Sequence, residues 1–236
     1  MKRERLYRIG FYLGGVVTLA VGNVLSTKAQ LGVSPIISPA YAVSDIWHID
    51  FGLATFGVYL VFLAVELLLL GKRRSWAVLL QIPFSLVFSL LLNLFIAGFD
   101  AVAAPLGLDT PALWQKILLL AGSVVLTGVG AAMIVNMQLV PSPPDGMAKA
   151  AGEALGRGLG FGKNTVDLCC VVASTALGLI AVRRVVGIGP GTLVAMVAIG
   201  RCIALFNHFC KEKMQAAAGL ATMETEAPGQ ELAAEK

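Results

Sequence analysis

The chain alternates between long apolar runs and short polar breaks, which is the pattern of a protein that crosses a membrane several times. Six runs are long enough, or nearly so, to cross a hydrocarbon core of about 30 Å, which takes about 20 helical residues. They lie at residues 6–27, 51–70, 76–98, 112–137, 165–182 and 191–210. Because the runs are continuously apolar, without residue-by-residue alternation, they predict transmembrane helices and not barrel strands.

Three short motifs recur about 110 residues further along the chain. They are Phe51-Gly52-x-x-Thr55 with Phe161-Gly162-x-x-Thr165, Arg73-Arg74 with Arg183-Arg184, and Leu31-x-x-Ser34-Pro35 with Leu139-x-x-Ser142-Pro143. The last pair is offset by two residues from the others. A duplication of this size in an apolar chain predicts two membrane repeats related by a pseudo-twofold axis, with any functional site between them.

Each repeat holds a helix, a polar connector and a helical hairpin with a basic turn. We expect 1–98 to be the first repeat, 99–111 an outer linker, 112–213 the second repeat and 214–236 a disordered cytoplasmic tail. Since three crossings are an odd number, the second repeat must be inverted relative to the first. The predicted fold is therefore an all-α membrane protein with six transmembrane helices in two inverted three-helix repeats, each with a short connector helix.

Composition agrees with this class, since 57% of the residues are hydrophobic and 14% are charged. The net charge of +4 reflects topology and not nucleic-acid binding: twelve Lys and Arg residues fall in segments predicted to be inner, and four in outer ones. This distribution predicts a multi-pass protein of the bacterial inner membrane with both termini cytoplasmic. The first run is interpreted as an uncleaved helix, because it is long and no good signal-peptide cleavage site follows it.

The connectors begin with Ser34-Pro35 and Ser142-Pro143-Pro144-Asp145. Serine followed by proline is typical of a helix N-cap with proline in the first turn. Each connector is therefore predicted to hold a short helix whose start offers unpaired N–H groups and a positive dipole end, which suits an anionic group if both starts enter the membrane. The alternative is a pair of amphipathic helices lying at opposite surfaces.

Charged residues inside membrane spans are costly and are candidates for function. Arg201 lies near the middle of the last span, where it could anchor an anion or form an ion pair with Glu66 or Asp167. Glu66 and Asp167 are themselves candidates for ion pairing or proton coupling. Asn23 and Asn136 occupy comparable late positions in the first helix of each repeat, where they could line a shared cavity or bond between helices.

The sequence contains no motif that indicates catalysis, metal binding or nucleotide binding. The four cysteines lie in or beside apolar runs without metal-type spacing, so we expect apolar packing roles for them. The glycine-rich stretch 186–192 lacks the Lys-Ser/Thr ending of a phosphate loop and is predicted to form a turn. No catalytic constellation occurs, so the sequence predicts no enzyme, no metal and no cofactor.

The connectors and the glycine-rich turn resemble the YitT/YczE-like family of bacterial integral membrane proteins. The matching stretches are Leu31-Gly32-Val33-Ser34-Pro35, Pro144-Asp145-Gly146-Met147 and Val186-Gly187-Ile188-Gly189, within a similarity over about residues 8–210. The resemblance implies the same membrane topology, for a family that is largely uncharacterised and sometimes described as permeases. This chain has Ile36-Ile37 where that family has Trp-Asp, and Pro144 where it has an arginine.

Two functional hypotheses follow. The first is a secondary transporter in the lipid bilayer for a small metabolite, with an anion as one option, in which substrate meets Arg201, Ser34, Ser142, Asp145, Asn23 and Asn136. The second is a non-transporting scaffold or assembly partner, which predicts a dense bundle with Arg201 ion-paired. A membrane-embedded enzyme is disfavoured by the lack of acid–base pairs, and a homo-oligomer is compatible with either hypothesis.

Overall fold

The protein is described by a computed structural model that covers residues 2–71, 75–103 and 111–220, and this part contains helices and no strands. The helices are α1 (Lys2–Lys28), α2 (Ser38–Trp47), α3 (Phe51–Leu70), α4 (Gln81–Ala103), α5 (Leu113–Asn136), α6 (Pro143–Ala154), α7 (Leu159–Val182) and α8 (Pro190–Ala217). Short 3-10 turns, Pro35–Ile37 and Trp76–Leu80, lead into α2 and α4. The predicted basic turn 72–74, the linker positions 104–110 and the tail 221–236 lie outside the described residues.

Six of these helices are long and apolar enough to cross a membrane, namely α1, α3, α4, α5, α7 and α8. The prediction of a multi-pass helical protein is confirmed. Several boundaries differ from the prediction, and α4, for example, ends at Ala103 and not at 98. Helix α7 begins six residues earlier than expected, and α8 continues to Ala217, past the boundary placed at 213, because Met214, Ala218 and Leu220 pack against Met137.

The centre of the bundle is a close contact between α1 and α5. A Cβ atom added to Gly130 would lie 2.5 Å from the backbone nitrogen of Leu19, and one added to Gly22 would lie 2.6 Å from that of Thr127. Such distances show that the two backbones touch with no side chain between them. Small residues permit this approach in membranes, where packing and not the hydrophobic effect drives helix association.

Side-chain contacts mark the two ends of the bundle. At one end, called the first end, Lys28 pairs with Asp100 and Arg184 pairs with Asp45. At the other, called the second end, Arg8 donates to the carbonyls that follow α5, and Gly219 lies beside Glu4. Because Arg8 and Lys28 are 20 residues apart on α1, the ends are separated by about 30 Å. The start of α1 and the end of α8 therefore share the second end.

The first connector enters the bundle and returns. Ser38, at the start of α2, contacts Ser174 and Cys170, which lie 8 and 12 residues before the end of α7 and hence about 12–18 Å inside the bundle. Asp45, near the end of α2, reaches Arg184 at the first end. The start of α2 is thus at mid-depth, and this helix does not lie along a surface.

The second connector does the same from the second end. Asp145 of α6 shares a cavity with Tyr59, which lies 11 residues before the end of α3, or about 16 Å inside the bundle. Further along α6, Gly152 meets the start of α7, where a Cβ on Gly162 would lie 2.7 Å from the Gly152 nitrogen. Both connector helices are therefore inserted into the bundle with their starts deepest.

The glycine contact between α1 and α5 predicts a specific stability effect. Gly130→Ala places a methyl group against backbone atoms that cannot rotate away, and we expect a loss of about 1–3 kcal/mol of unfolding free energy. The matched control is Gly10→Ala, because a Cβ there meets nothing within 4 Å. Thermal unfolding in detergent measures both variants; equal melting temperatures for the two would contradict the role of Gly130.

Candidate functional site

A polar cavity lies where the starts of the two connectors meet the middle of the spans. Its empty volume is about 520 Å³, part of which is continuous with the exterior. Its polar side chains are Asn23, Ser34, Tyr59, Thr127, Ser142, Asp145, Lys163 and Asp167. Residues from both halves of the chain therefore face one space, and four of the predicted substrate-binding residues are among them.

The start of α6 supplies a carboxylate and not free amides. Ser142 caps the helix, with its hydroxyl 2.6 Å from Asp145 Oδ2, and it accepts a weak hydrogen bond from the Asp145 amide at 3.4 Å. Pro143 and Pro144 have no N–H group, and the Gly146 amide donates to the Ser142 carbonyl. The donors of the first turn are thus used or missing, and the positive end of the helix dipole is met by Asp145.

The start of the first connector is similarly poor in donors. The Ser34 amide donates to Ser26 Oγ at 3.0 Å, Pro35 has no N–H, and the amides of Ile37 and Ser38 donate to the Ser34 carbonyl. Only one amide is left before the helix proper. The arrangement therefore differs from the predicted anion site: two helix starts converge as expected, but they offer almost no N–H groups to an anion.

Asp167 and Lys163 form the charged wall of the cavity on α7. They are one helical turn apart, and the Lys163 ammonium lies 3.7 Å from Asp167 Oδ1. That distance is an ion pair but is too long for a good hydrogen bond, and Asp167 Oδ1 is buried without any hydrogen-bond partner among the described residues. With Asp145, the cavity holds two carboxylates against one ammonium, a formal charge of −1.

Four of the five neutral polar side chains of the cavity, all except Ser142, are left without partners. Asn23, Ser34, Tyr59 and Thr127 are 4%, 5%, 1% and 8% exposed, yet their side chains form no hydrogen bond with any residue in the described ranges. Buried polar groups are normally bonded to protein or to ordered water, since an unmade bond costs about 1–3 kcal/mol. Four such groups around one space indicate that water or a ligand completes them.

The structure does not place Arg201 in this cavity. The face of α8 that reaches the cavity carries Ala195, Ile199 and Ile203, and Arg201, two positions after Ile199, points about 200° away from it. Arg201 is exposed and makes neither the expected ion pair with Glu66 or Asp167 nor any other within the described part of the chain. Position along the span predicts the depth of Arg201, but the helix face decides what it contacts.

Asn136 and Glu66 also lie outside the cavity, in contacts between helices. The Asn136 amide donates to Asn207 Oδ1 at 2.8 Å and so joins α5 to α8, which is the second of its two predicted roles. Glu66 is 5% exposed and accepts a hydrogen bond from Gln81 Nε2 at 2.9 Å. This pair packs directly on Gly146, at a spot with no room for a Cβ.

The glycine-rich stretch forms a turn that binds the first connector. Val33 donates its amide to the Gly187 carbonyl and Gly191 donates to the Leu31 carbonyl, each at 2.8 Å. Gly32 has a φ of +101°, and a Cβ there would lie 2.5 Å from the Gly189 nitrogen. We call this contact, residues 31–33 with 187–191, the backbone clamp; it joins the two halves of the chain at the first end.

A second hollow lies beside the backbone clamp. It has an empty volume of about 560 Å³ and is lined by side chains that include Ser26, Gln30 and Tyr41. It adjoins the polar cavity, because the hydroxyl of Ser26 in its lining accepts the amide hydrogen of Ser34, which lines the polar cavity. The two spaces thus lie in sequence from the first end towards the middle of the bundle.

Sequence reasoning does not identify Lys163, Tyr59 or Thr127. Lys163 falls outside the spans when α7 is expected to start at residue 165; with the observed start at Leu159, the i,i+4 spacing to Asp167 is the signal that identifies it. Nothing in the sequence distinguishes Tyr59 and Thr127 from other aromatic and hydroxyl residues of the spans. Their assignment requires knowledge of which helix faces meet.

Comparison with known proteins assigns the chain to a family but not to an activity. Residues 6–208 match the family of unknown function DUF6198, and the chain belongs to this family. No curated protein and no solved structure matches the chain significantly. The function must therefore be argued from the geometry of the cavity.

The hydrogen bond between Asn136 and Asn207 predicts that Asn136 stabilises the contact between α5 and α8. In a double-mutant cycle of Asn136→Ala and Asn207→Ala, we expect a coupling free energy of about 0.6 kcal/mol and at most about 1.7 kcal/mol, as for other interhelical hydrogen bonds in membranes. Thermal unfolding of the four proteins in detergent gives this value. Additive effects of the two substitutions would show that the bond contributes nothing.

Proposed function

We propose that this protein is a non-enzymatic secondary carrier, which binds a small solute in the polar cavity and exposes it alternately to the two sides of the membrane. The observation that carries the proposal is the set of unpartnered polar side chains from both halves, which converge at mid-depth on the starts of two inserted helices. Midplane sites built from half-helices at a repeat interface are typical of secondary transporters. A helix bundle that only had to pack would pair these groups with each other.

Reciprocal packing supports the inverted repeat. The connector helix of the first half, α2, packs on α7 of the second half, and the connector helix α6 packs on α3 of the first. The leading helices α1 and α5 pack on each other, and α4 and α8 pack on α1 and α5 respectively. Each of these contacts thus has a counterpart in the other half, with the two connectors entering from opposite ends, whereas the packing of α3 on α4 has no comparable counterpart between α7 and α8.

The distribution of charge supports an orientation. Basic residues concentrate at the second end, and two of the four that the structure describes at the first end, Lys28 and Arg184, are neutralised by Asp100 and Asp45. By the positive-inside rule the second end, where α1 begins and α8 ends, is cytoplasmic. We assign the protein to the plasma membrane of a bacterium on this basis, which agrees with its resemblance to the YitT/YczE-like proteins.

The two ends differ in how the halves are joined, and this suggests the moving contacts. At the first end the backbone clamp and the exposed Asp45–Arg184 pair connect the halves, with the second hollow beneath them. At the second end Tyr12 donates to the Val140 carbonyl, and Arg8 caps α5. Rocking of one repeat against the other would open one set of contacts while the other holds.

A scaffold or assembly partner is the second candidate, and α8 favours it. Half of the residues of this helix are exposed, and Arg201 lies on that exposed side among apolar residues such as Val197 and Leu205. An unpaired arginine facing lipid is costly, so another subunit or protein that covers α8 would relieve it. This candidate predicts no access to the polar cavity from both sides.

Alternating access can be tested without knowing the substrate. Ser34→Cys, in a background with the four native cysteines replaced, puts a thiol in the cavity, and we expect membrane-impermeant thiol reagents to label it from either side of sealed vesicles. Ser38→Cys is the control, because Ser38 is fully buried and bonded to Ser174. Labelling of the Ser34→Cys variant from one side only, or from neither, would favour the scaffold.

Joining the two halves should abolish the two-sided access. The double variant Asp45→Cys with Arg184→Cys is made in the same cysteine-free background, with Ser34 restored. A short bifunctional thiol reagent then links the two halves, and we expect the linkage to confine the cavity to one side. The matched control is Lys28→Cys with Asp100→Cys, an exposed ion pair within the first half, whose linkage leaves the halves free to move. A solute-uptake assay, once a substrate is found by ligand-dependent thermal stabilisation, reports the outcome; equal uptake with both linkages would argue against rocking.

A further inference from the structure

The charge of the cavity decides what kind of ligand it can hold. Asp145 and Asp167 face it together with a single ammonium, that of Lys163. An anion would add to an unbalanced negative charge in a partly buried site, which is unfavourable at low dielectric. A ligand with one positive charge would make the cavity neutral.

The unbonded hydroxyl of Thr127 points independently to a ligand. In helices a threonine hydroxyl commonly donates to the carbonyl one turn earlier, and Thr18, Thr55, Thr165 and Thr175 all do so here. Thr127 is the one threonine within the described ranges whose hydroxyl has no partner, although its Oγ is buried. This oxygen lies beside Gly22 of α1 and accepts no hydrogen bond from the described part of the protein, so a ligand in the cavity can use it as an acceptor.

The remaining polar groups are also suited to this role. Ser34 and Asn23 present oxygen atoms without protein partners, and hydroxyl, amide and carboxylate oxygens are the ligands that hard cations prefer. The described residues contain no cluster of three His, Cys, Asp or Glu side chains that would hold a multivalent metal ion. The site therefore fits a weakly held, singly charged ion better than a tightly bound divalent one.

We propose that the polar cavity binds a monovalent cation between Asp145 and Asp167, with Thr127 as a neutral oxygen ligand. The cation is either Na⁺ or the ammonium group of an organic solute, since both satisfy the same charge and oxygen acceptors. Lys163 pairs with the Asp167 carboxylate at 3.7 Å, so one negative charge is left for the cation. The cation would be the ligand of the proposed carrier. Binding itself does not require transport, and only the physiological role of the cation rests on the proposed function.

Cation-dependent stability tests the proposal on the purified full-length protein. Thermal unfolding is measured in Na⁺, K⁺, Li⁺ and methylammonium chlorides against tetraethylammonium chloride, which has no N–H group, at constant ionic strength. We expect a melting-temperature increase of several degrees that saturates with Na⁺ or with methylammonium, because a ligand that binds only the folded state raises its stability with concentration. A saturating response to Na⁺ identifies an inorganic ion, and one to methylammonium alone identifies an organic ammonium.

Variants locate the site. Asp167→Asn should abolish the saturating increase, and Thr127→Val, which keeps the shape, should raise the cation concentration at half-effect about tenfold. Asp100→Asn, an exposed carboxylate far from the cavity, should respond like the wild type. If Asp167→Asn fails to fold, the response of Thr127→Val shows whether the cation binds in the cavity. No saturating response in the wild type, or an unchanged one in these cavity variants, would overturn the proposal.

The cation titration and the thiol labelling together distinguish this proposal from the carrier function. Labelling of the Ser34→Cys variant from both sides without any cation response would leave a carrier with another ligand class. A cation response that depends on Asp167, with labelling from one side only, would leave a cation-binding protein that does not transport.

Discussion

The direct backbone contact between α1 and α5 is the constraint on which the rest of the structure depends. Gly22 and Gly130 leave no side chain between the two helices, so that Thr127 lies against the α1 backbone and Asn23 follows immediately at the cavity wall. Each connector continues directly from the end of one of these helices. The distance between α1 and α5 therefore sets how close the two connector starts can come and how much space is left for the cavity.

Starting a helix inside an apolar bundle raises a problem that the serine–proline sequences solve. The first four N–H groups of a helix have no partner within it, and unbonded donors are costly away from water. Ser142-Pro143-Pro144 removes two donors and caps a third, while Ser34-Pro35 uses Ser26 and the Ser34 carbonyl for the same purpose. The motifs that predicted helix starts are thus the ones that allow these starts to be buried. Because they leave few free backbone N–H groups, the site is unsuited to anions.

The sequence predicted the number of spans and the connector helices, because hydropathy and N-caps are local signals. It did not predict which side chains meet, because this depends on helix rotation. Arg201 and Ile199 are two residues apart at the same depth, yet one is exposed and the other lines the cavity. Lys163 escapes prediction for a different reason: the polar first turns of α7 resemble a loop in sequence, whereas in the structure they are helical and pack on α6 through Gly162.

The cavity is asymmetric in charge although the surrounding architecture is paired. Asp145, Lys163 and Asp167 all belong to the second half, whereas the first half contributes the neutral Asn23, Ser34 and Tyr59. At the 110-residue offset, Asp167 corresponds to Gly57 and Lys163 to Leu53, so the first half has no charged counterpart for either. If the halves rock, the charged groups move together and keep their mutual distances. The charge of a bound cation is then compensated in both states, and only neutral contacts, which cost less to break, are exchanged as the cavity changes sides.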